Sequence, residues 1–266
     1  MNMAVPEDER WPPVPPDIDR STMEVETPEL AVTGNSMLYR VKGYSRIVYK
    51  SRAEPREYEL QKAAGDCAVP FRGRVMLKTH DGTIMCMGFL MDLANPLTVP
   101  TGPAPPAAAV LPPSRRRDIM HQMIRLVQRL HAKGIVHGDV KLENMLLDGQ
   151  GQLRLCDFAE GRYAGEDERV WEGCSTWHYE SPNRLLRAER MGMDPPPPTA
   201  EDDLYGLGLS IWHLYTGQMP NGDLAGDDEG LKERQRRGET VDVASVDDPE
   251  AREIIRGLLR RGGARI

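Results

Sequence analysis

The sequence offers none of the patterns by which a chain is exported or crosses a membrane. No stretch approaches the roughly 18 apolar residues of a bilayer-spanning helix, and the N-terminus lacks the basic-then-apolar pattern of a signal peptide. Cysteines are few and scattered, with no CxxC spacing. These absences favour an intracellular protein, cytoplasmic or nuclear, without a disulfide framework or zinc site. The four thiols, predicted to be reduced, are Cys67, Cys86, Cys156 and Cys174.

Basic residues are also too few for a protein that binds nucleic acid through charge alone. Lysine and arginine number 34 against 41 aspartates and glutamates, so the 266-residue chain has a formal net charge of −7. Such a chain is a poor candidate for non-specific nucleic-acid binding and mildly favours basic peptides as partners. Its length suffices for one large or two small domains with a sizeable core.

Proline is concentrated in three stretches that cannot bury much apolar surface. Residues 1–28 mix proline with acidic residues and predict an extended arm. Residues 95–113 are rich in proline and alanine and predict a linker, and four prolines fill residues 195–198. Two globular parts remain, at 29–94 and 114–266. An interaction scaffold that presents the prolines to aromatic grooves is an alternative function.

Residues 29–94 are predicted to form strands around one helix. Their apolar stretches are short, rich in Val, Ile and Tyr, and separated by turns that contain glycine. One stretch is instead rich in Ala, Glu and Leu, with a proline that a first helical turn tolerates. The predicted elements are strands at 38–42, 46–50, 72–79 and 83–91 and a helix at 53–64.

The part after residue 114 is predicted to be mainly helical. Apolar residues recur every three or four positions, which predicts a helix at 115–133 that Ser114 caps and Gly134 ends. Residues 161–193 are polar and without periodicity, which predicts an irregular, exposed segment. The remaining predicted elements are a hairpin at 145–157 and helices at 203–215, 229–237 and 248–261.

The loop HGDVKLEN, residues 137–144, lies between the first of these helices and the hairpin. The spacing of Asp139, Lys141 and Asn144 fits neither one face of a helix nor one face of a strand, but suits a loop whose side chains converge. An Asp can accept a hydroxyl proton, a Lys can neutralise a phosphoryl group during transfer, and an Asn can hold a metal ion.

A second acidic motif, DFA, places Asp157 thirteen residues after Asn144. The two motifs resemble the H-R-D-L-K-x-x-N and D-F-G pair of protein kinases, and further landmarks extend the resemblance to about residues 34–265. The resemblance implies an α+β, two-lobed protein-kinase-like fold with a small β-rich N-lobe and a larger, mainly helical C-lobe. It also implies that the protein uses ATP and Mg²⁺.

Four catalytic residues are implied by the resemblance. Asp139 would accept the proton of the substrate hydroxyl, and Lys141 would contact the γ-phosphate, as in Ser/Thr-specific kinases. Asn144 and Asp157 would be the Mg²⁺ ligands. The alternative for both aspartates is that they are turn-capping acids.

Nucleotide-binding residues are implied in the same way. Lys50 ends RIVYK, which resembles the V-A-I-K strand, and would hold the α- and β-phosphates while it pairs with Glu57. Glu54 and Glu59 are alternatives for that partner. The other implied contacts are Gly34 in the phosphate-covering loop, Met91 as gatekeeper, Asp92 and Ala94 in the hinge, and Leu146 beneath the adenine.

The stretch GCSTWHYESPN, residues 173–183, resembles the end of an activation segment. By this resemblance Thr176 would brace the acceptor site. Asp203 would tie down the backbone of the catalytic loop, with a plain helix N-cap as the alternative. Arg265 stands at the position of the family's late arginine.

Several positions depart from the family pattern. The arginine before the catalytic Asp is Gly138, so a phosphate on the activation segment lacks its usual anchor and control by phosphorylation there is not expected. The D-F-G glycine is Ala159, and the A-P-E glutamate is Asn183, so the ion pair with Arg265 is missing or weakened. The glycine-rich loop keeps only Gly34, which predicts a stiffer or more open cover and weaker nucleotide binding.

A kinase that acts on a protein Ser or Thr hydroxyl is the leading interpretation, because every group that handles charge in phosphoryl transfer is present. The departures leave a pseudokinase open. His-Gly-Asp and Glu160 also resemble aminoglycoside and choline kinases, so a small-molecule phosphotransferase is a further alternative. The expected partners are ATP and a protein substrate, without nucleic acid or membrane, and a monomer is the default state.

Overall fold

The computed structural model describes residues 17–33, 36–97, 111–166, 176–192 and 196–266. The fold is α+β, as predicted, and divides into two compact units, the first β-rich and the second mainly helical. Cys67, Cys86 and Cys156 are not in disulfides, whereas Cys174 lies outside the described residues. The described parts of Met1–Pro55 and Pro70–Leu93 form the first unit, and those of Arg56–Val69 and Ala94–Ile266 form the second.

The first unit is built on one sheet of six strands. In chain order they are β1 (Asp17–Asp19), β2 (Ala31–Thr33), β3 (Ser36–Val41), β4 (Tyr44–Ser51), β5 (Phe71–Lys78) and β6 (Ile84–Asp92). Their order in the sheet is β1-β5-β6-β4-β3-β2, with β1 parallel to β5 and the other neighbours antiparallel. The four strands predicted from the sequence are confirmed as β3, β4, β5 and β6.

The prediction of an extended arm up to residue 28 is wrong for its described part. β1 pairs with β5, and the Asp17 carboxylate binds the Arg74 guanidinium at 2.6 and 2.8 Å. Val25 forms a β-bridge with Val41, and Met23 is buried in the core of the sheet. The alternation of apolar and polar residues that identifies a strand cannot be recognised in only three residues.

The second unit contains most of the helices. They are α1 (Pro55–Ala64), which belongs to this unit from Arg56 onward, α2 (Pro113–Ala132), α3 (Pro182–Met191), α4 (Ala200–Thr216), α5 (Asp228–Arg236) and α6 (Pro249–Arg261). The helices predicted at 53–64, 115–133, 203–215, 229–237 and 248–261 are confirmed, with ends that differ by up to three residues. Among the described residues, no helix is long and apolar enough to cross a membrane.

The start of α2 differs from the prediction that Ser114 caps it. Pro112 is the N-cap residue and Pro113 the first helical residue, so Ser114 lies within the first turn. A proline at this position already has a helical φ and lacks an N–H that would have no intrahelical acceptor. Gly134 ends the helix as predicted, with a φ of +72°.

Short strands flank the loops of the candidate site. β8 (Ile135–Val136) precedes residues 137–144 and pairs with β11 (Arg162–Tyr163). β9 (Met145–Leu147) and β10 (Leu153–Leu155) form the predicted hairpin, and β7 (Asn95–Pro96) pairs with β9. Asn95 and Pro96 therefore belong to the second unit rather than to a linker. Residues 98–110 of the predicted linker lie outside the described residues.

Part of the segment predicted to be irregular, residues 161–193, is helix α3. The Ser181 hydroxyl caps it by accepting the Arg184 N–H at 3.0 Å, and Gly192 ends it with a φ of +64°. These start and stop signals stand in the sequence. The helix was missed because it is only ten residues long and its buried face mixes an arginine with apolar residues.

Candidate active site

The loop at residues 137–144 is held by the carboxylate of Asp203, near the start of α4. Its Oδ2 accepts the His137 N–H and its Oδ1 the Gly138 N–H, each at 2.8 Å. His131 Nε2 lies 2.8 Å from the same carboxylate. The N-cap of α4 is Thr199, which forms a capping box with Asp202. Asp203 is thus not an N-cap, and both of its oxygens bind the loop.

The side chain of His137 is fully buried and joins this loop to the DFA motif. Its Nε2 donates to the Cys156 carbonyl at 3.0 Å, while Nδ1 accepts the Asp139 N–H at 3.2 Å. The imidazole is therefore neutral, with its proton on Nε2. The Phe158 ring packs against it at a centroid distance of 4.7 Å. One residue thus fixes the backbone on both sides of the site.

Asp139, Lys141 and Asn144 form one hydrogen-bonded cluster, as their spacing predicted. Lys141 Nζ donates to Asp139 Oδ2 at 2.6 Å. Asn144 Nδ2 donates to the same Oδ2 at 3.0 Å and to the Asp139 carbonyl at 2.9 Å. Two side chains from one loop therefore orient a single carboxylate.

The second carboxylate oxygen of Asp139, Oδ1, has no hydrogen-bond partner of this kind in the described part of the chain. Oδ1 is buried and accepts no hydrogen bond from the described residues. Asp139 lines a small cavity together with Thr176 and Tyr179 from the end of the activation-like segment. A buried carboxylate oxygen without a donor is costly, and such atoms in native sites commonly have a functional reason. Oδ1 is therefore the oxygen of Asp139 that remains free to accept a further hydrogen bond.

Lys141 carries its positive charge firmly. Burial alone would lower its pKa, but the carboxylates of Asp139, Asp157 and Glu143 outweigh that effect and raise the pKa above its ordinary value. Its Nζ also donates to the Thr176 hydroxyl at 3.0 Å. A permanent cation thus lies between the Asp139 carboxylate and the activation-like segment.

Asn144 and Asp157 lie on loops that are bonded to each other through the backbone. The Cys156 N–H donates to the Asn144 carbonyl at 3.0 Å, and Asp157 follows with an unusual φ of +64°. Because Asn144 Nδ2 is bound to Asp139, its amide oxygen is the atom left to act as a ligand. Amide and carboxylate oxygens are the ligands that Mg²⁺ prefers, and Mg²⁺ usually takes few protein ligands beside water and phosphate.

Within the described ranges, the protein does not form a metal site made of His, Cys, Asp and Glu side chains alone. The described residues contain no group of three His, Cys, Asp or Glu side chains that could hold a metal ion. Asn144 and Asp157 therefore fit a Mg²⁺ that arrives with nucleotide phosphates and would be held by these two oxygens.

Gly138 has a conformation that other residues rarely adopt. Its φ is +81°, and a Cβ there would lie 2.2 Å from the Glu160 carbonyl oxygen and 2.9 Å from Pro198 Cγ. Such distances exclude any side chain unless the backbone moves. The arginine that the resemblance places here is thus not merely replaced: the local fold has no space for it.

A chain of three side chains, of which Tyr179 and His213 are buried, links the catalytic loop to α4. The Tyr179 hydroxyl lies 3.3 Å from Glu143 Oε2 and 3.2 Å from His213 Nδ1. Burial and the Glu143 carboxylate raise the pKa of Tyr179 well above its ordinary value, so the phenol stays neutral. Burial lowers the pKa of His213, although Glu143 opposes this shift.

Asn183, which stands where the family has a glutamate, bonds to the end of α6. Its N–H donates to the Gly262 carbonyl at 2.9 Å, and its Nδ2 to the Arg261 carbonyl at 3.2 Å, both at the end of α6. The Arg265 side chain is exposed, and its backbone N–H donates to the Gly238 carbonyl at 2.8 Å. The amide of Asn183 therefore bonds to the end of α6 through backbone carbonyls.

The predicted nucleotide-binding residues are distributed over both units. In the first unit, Lys50 is buried on β4 opposite Phe89, and Met91 is buried on β6. Asp92 ends β6, and its carboxylate binds Arg72 at 2.5 and 2.6 Å. In the second unit Glu57 is buried on α1, Leu146 lies on β9 and Ala94 precedes β7, whereas Gly34 lies outside the described residues.

Two arginines of α3 were missed by the sequence reasoning. Arg184 Nη1 lies 3.4 Å from the Gly138 carbonyl, and its Nε donates to the Pro196 carbonyl at 3.1 Å. Arg187 donates to the Pro197 carbonyl at 3.2 Å and forms an ion pair with Asp202 at 2.5 Å. The signal available was their spacing of three on a short helix, which does not by itself identify distant acceptors.

Known proteins match most of the region that holds these residues. The family model described as protein kinase domain matches residues 71–263. The serine/threonine-protein kinase ROP17 of Toxoplasma gondii is 37% identical over 146 residues. A testis-specific serine/threonine-protein kinase 5 of mouse is 30% identical over 153 residues. The human dual specificity mitogen-activated protein kinase kinase 7 is 39% identical over 94 residues.

These relatives are much longer than the matched region. The alignments cover 53%, 54% and 33% of this chain, but only 24%, 36% and 20% of the three relatives, in the same order. The chain therefore matches about a third of their length or less.

Proposed function

The chain belongs to the protein kinase family, and we propose that it transfers the γ-phosphoryl group of MgATP to a serine or threonine hydroxyl of a protein. The observation that carries this proposal is the cluster of Asp139, Lys141 and Asn144, in which Asp139 Oδ1 accepts no hydrogen bond from the described residues. Two of the relatives are serine/threonine-protein kinases by name, which supports the choice of acceptor.

Asp139 is the catalytic base of this proposal. Lys141 and Asn144 occupy its Oδ2, so Oδ1 is the oxygen that would accept the hydrogen bond of the substrate hydroxyl. In the reaction the hydroxyl oxygen bonds to the γ-phosphorus, the bond from that phosphorus to the ADP oxygen breaks, and Asp139 takes the hydroxyl proton. Correct orientation of the base matters because the proton must move along a short hydrogen bond.

In the proposal, Lys141 and Lys50 supply the positive charge that the phosphates require. Lys141 stays protonated because its pKa is raised, so it can stabilise the transferring phosphoryl group. In the proposal Lys50 holds the inner phosphates and pairs with Glu57. Asn144 and Asp157 would hold Mg²⁺, which neutralises phosphate charge when it is bound. The bond between Lys141 and Thr176 positions the acceptor segment beside the same cation.

A binding protein without transferase activity is the second candidate. Two sequence departures favour it: Ala159 replaces the D-F-G glycine, and Gly34 is the remaining glycine of the phosphate-covering loop. Both affect loops that cover or orient the nucleotide rather than the groups that carry charge. In that case MgATP would raise the thermal midpoint, but no phosphate would be transferred.

The proposal also includes the location of the protein and its partners. Cys67, Cys86 and Cys156 are not in disulfides, which supports an intracellular location in the cytoplasm or nucleus. The proposed partners are ATP and a protein substrate, with a monomer as the simplest state.

The test is phosphate transfer from radiolabelled MgATP to generic basic proteins and to a library of Ser, Thr and Tyr peptides. We expect transfer by the wild type, and its loss in Asp139→Asn and Lys50→Met. Matched controls are Asp81→Asn in an exposed turn and Lys42→Met on the surface of the first unit, and both should retain activity. Equal signal from all five proteins would indicate a contaminant and overturn the proposal, and transfer to a small alcohol alone would exclude a protein substrate.

A further inference from the structure

The residue before the proposed base has no side chain by which it could be held. Gly138 has a φ of +81°, and the Glu160 carbonyl and Pro198 ring occupy the space where a Cβ would be. Its position can therefore be fixed only through its own N–H and C=O groups. The N–H donates to Asp203 Oδ1 at 2.8 Å, so the carbonyl is the second backbone group that can hold this residue.

The Gly138 carbonyl faces the guanidinium of Arg184. Nη1 lies 3.4 Å from this oxygen, at the long end of hydrogen-bond distances, and the pair is separated by 46 residues in the chain. Arg184 is only 3% exposed, so water competes little for the interaction. A charged donor strengthens a hydrogen bond to a carbonyl relative to a neutral one.

Arg184 is itself fixed by neighbours on two sides. Its Nε donates to the Pro196 carbonyl at 3.1 Å and lies 3.8 Å from Glu180 Oε1. A buried guanidinium with a carboxylate beside it keeps its charge and loses rotamer freedom. Its orientation toward Gly138 is thus set before any substrate binds.

The proline strap, residues 196–198, completes the arrangement. All three prolines are buried and have no N–H, so their carbonyls are the backbone atoms that can bond. Arg184 binds the first carbonyl and Arg187 the second, while Pro198 contacts the Cβ position of Gly138. The strap is therefore buried against α3 and the catalytic loop, which disfavours its use as a ligand for aromatic grooves.

We propose that Arg184, seated on the proline strap, is a positioning residue that holds Gly138 and thereby orients the Asp139 carboxylate. It supplies from α3 the positive charge beside the catalytic loop that Gly138 cannot carry. Because its partners are carbonyls and the carboxylate of Glu180, the arrangement requires no phosphate on the activation-like segment. This inference rests on the proposed function of Asp139.

The test compares Arg184→Met with Arg187→Met in the full-length chain. Both changes remove a buried or half-buried guanidinium and one bond to the strap. In the part of the chain that the structure describes, however, Arg187 forms no hydrogen bond or ion pair with residues 137–144. We expect kcat to fall at least tenfold in Arg184→Met, with the KM for ATP within about twofold of wild type. Arg187→Met should keep kcat within about threefold of wild type, even if its thermal midpoint falls by as much as that of Arg184→Met.

Two further measurements keep the inference testable if Arg184→Met is unstable. Arg184→Lys retains the charge but has a single donor nitrogen in place of the guanidinium's three, so its kcat should lie between those of wild type and Arg184→Met. Hydrogen exchange of a peptide that covers residues 137–142 should accelerate in Arg184→Met but not in Arg187→Met, and this readout needs no enzymatic activity.

The outcomes separate this inference from the proposed function. An active wild type with equal kcat and equal exchange in both variants would overturn the role of Arg184 and leave the kinase proposal intact. Losses of kcat that follow the thermal midpoint equally in both variants would also overturn it. An inactive wild type would overturn the proposed function, and accelerated exchange confined to Arg184→Met would then still support the anchoring of the loop.

Discussion

The side-chain amide of Asn144 binds Asp139 twice, at its carbonyl oxygen (2.9 Å) and at Oδ2 (3.0 Å). The residue proposed as a Mg²⁺ ligand thus also fixes the residue proposed as the base. Metal binding and orientation of the base are therefore coupled through one amide, and a change at either residue affects both.

This coupling predicts that Asn144→Asp and Asn144→Leu differ in how they fail. Asn144→Asp keeps an oxygen ligand but loses the Nδ2 donor and places a second carboxylate beside Asp139. We expect kcat to fall by about 100-fold or more, with a Mg²⁺ requirement close to that of wild type. Asn144→Leu should lose activity and also require much more Mg²⁺ for nucleotide binding. Titration of Mg²⁺ at fixed ATP, followed by calorimetry, distinguishes the two.

Gly138 provides a prediction about stability. Gly138→Ala should lower the free energy of unfolding by about 3 kcal/mol, because the Cβ clashes with the Glu160 carbonyl and the φ is strained. Gly151→Ala is the matched control: its φ is +73° but nothing lies within 4 Å of the added Cβ, so about 1 kcal/mol is expected. Urea unfolding measures both values. Equal losses would show that the contact with Glu160 is unimportant.

For the same reason, restoring the family's arginine at this position should not activate the protein. Gly138→Arg must move the backbone away from Glu160 and Pro198, so we expect activity to fall.

Treatment of the wild type with a phosphatase should leave its activity unchanged, since Arg184 and not a phosphate anchors the loop. Higher activity in Gly138→Arg, or loss after phosphatase treatment, would contradict this account.

His213 predicts a pH dependence of stability. Burial lowers its pKa from the ordinary 6.5, so below pH 6.5 the unfolded chain binds a proton that the folded chain resists. Stability is then fully present above pH 6.5 and decreases as the pH falls toward the lowered pKa. Glu143, which faces His213 across 3.7 Å, reduces the effect but does not reverse it.

The measurement is urea unfolding of the wild type and His213→Gln at pH 7.5 and 5.5. Carboxylates elsewhere titrate in both proteins, so the difference between the two pH profiles isolates His213. We expect the wild type to lose more stability than the variant. His121→Gln, at a half-exposed histidine on α2, should follow the wild-type profile.

The bonds that Asp203 forms with the catalytic loop predict that replacing this residue lowers the free energy of unfolding. Asp203→Asn replaces one acceptor oxygen by an N–H₂ group that must face an N–H of His137 or Gly138. We expect a loss of about 3 kcal/mol in the free energy of unfolding. Asp227→Asn, at the N-cap of the exposed helix α5, should cost about 1 kcal/mol or less. A loss in Asp203→Asn no larger than in this control would refute the anchoring role.

Local patterns in the sequence predicted most of the helices and strands, because periodicity and turn residues act within a few positions. The site loop was predictable for a similar reason: Asp139, Lys141 and Asn144 are close in sequence, and the chemistry of their side chains is distinctive. β1 and α3 were missed because one is three residues long and the other mixes arginines with apolar residues on its buried face.

The contacts of α3 with distant residues could not be predicted. Nothing in the composition of α3 indicates that Arg184 reaches Gly138, 46 positions away, or that prolines at 196 and 197 accept its bonds and those of Arg187. Proline-rich sequence usually indicates a linker, and here it is buried because its carbonyls meet two cationic donors. The glycine at 138 could be recognised as a departure, but only the structure shows what fills the space.

The central claim is that Asp139 accepts the hydroxyl proton during phosphoryl transfer. Its most direct test is the single-turnover rate of transfer in Asp139→Asn, with MgATP affinity measured on the same sample. We predict a rate lower by about 100-fold or more with MgATP affinity within about threefold of wild type. A transfer rate equal to that of the wild type would contradict the account.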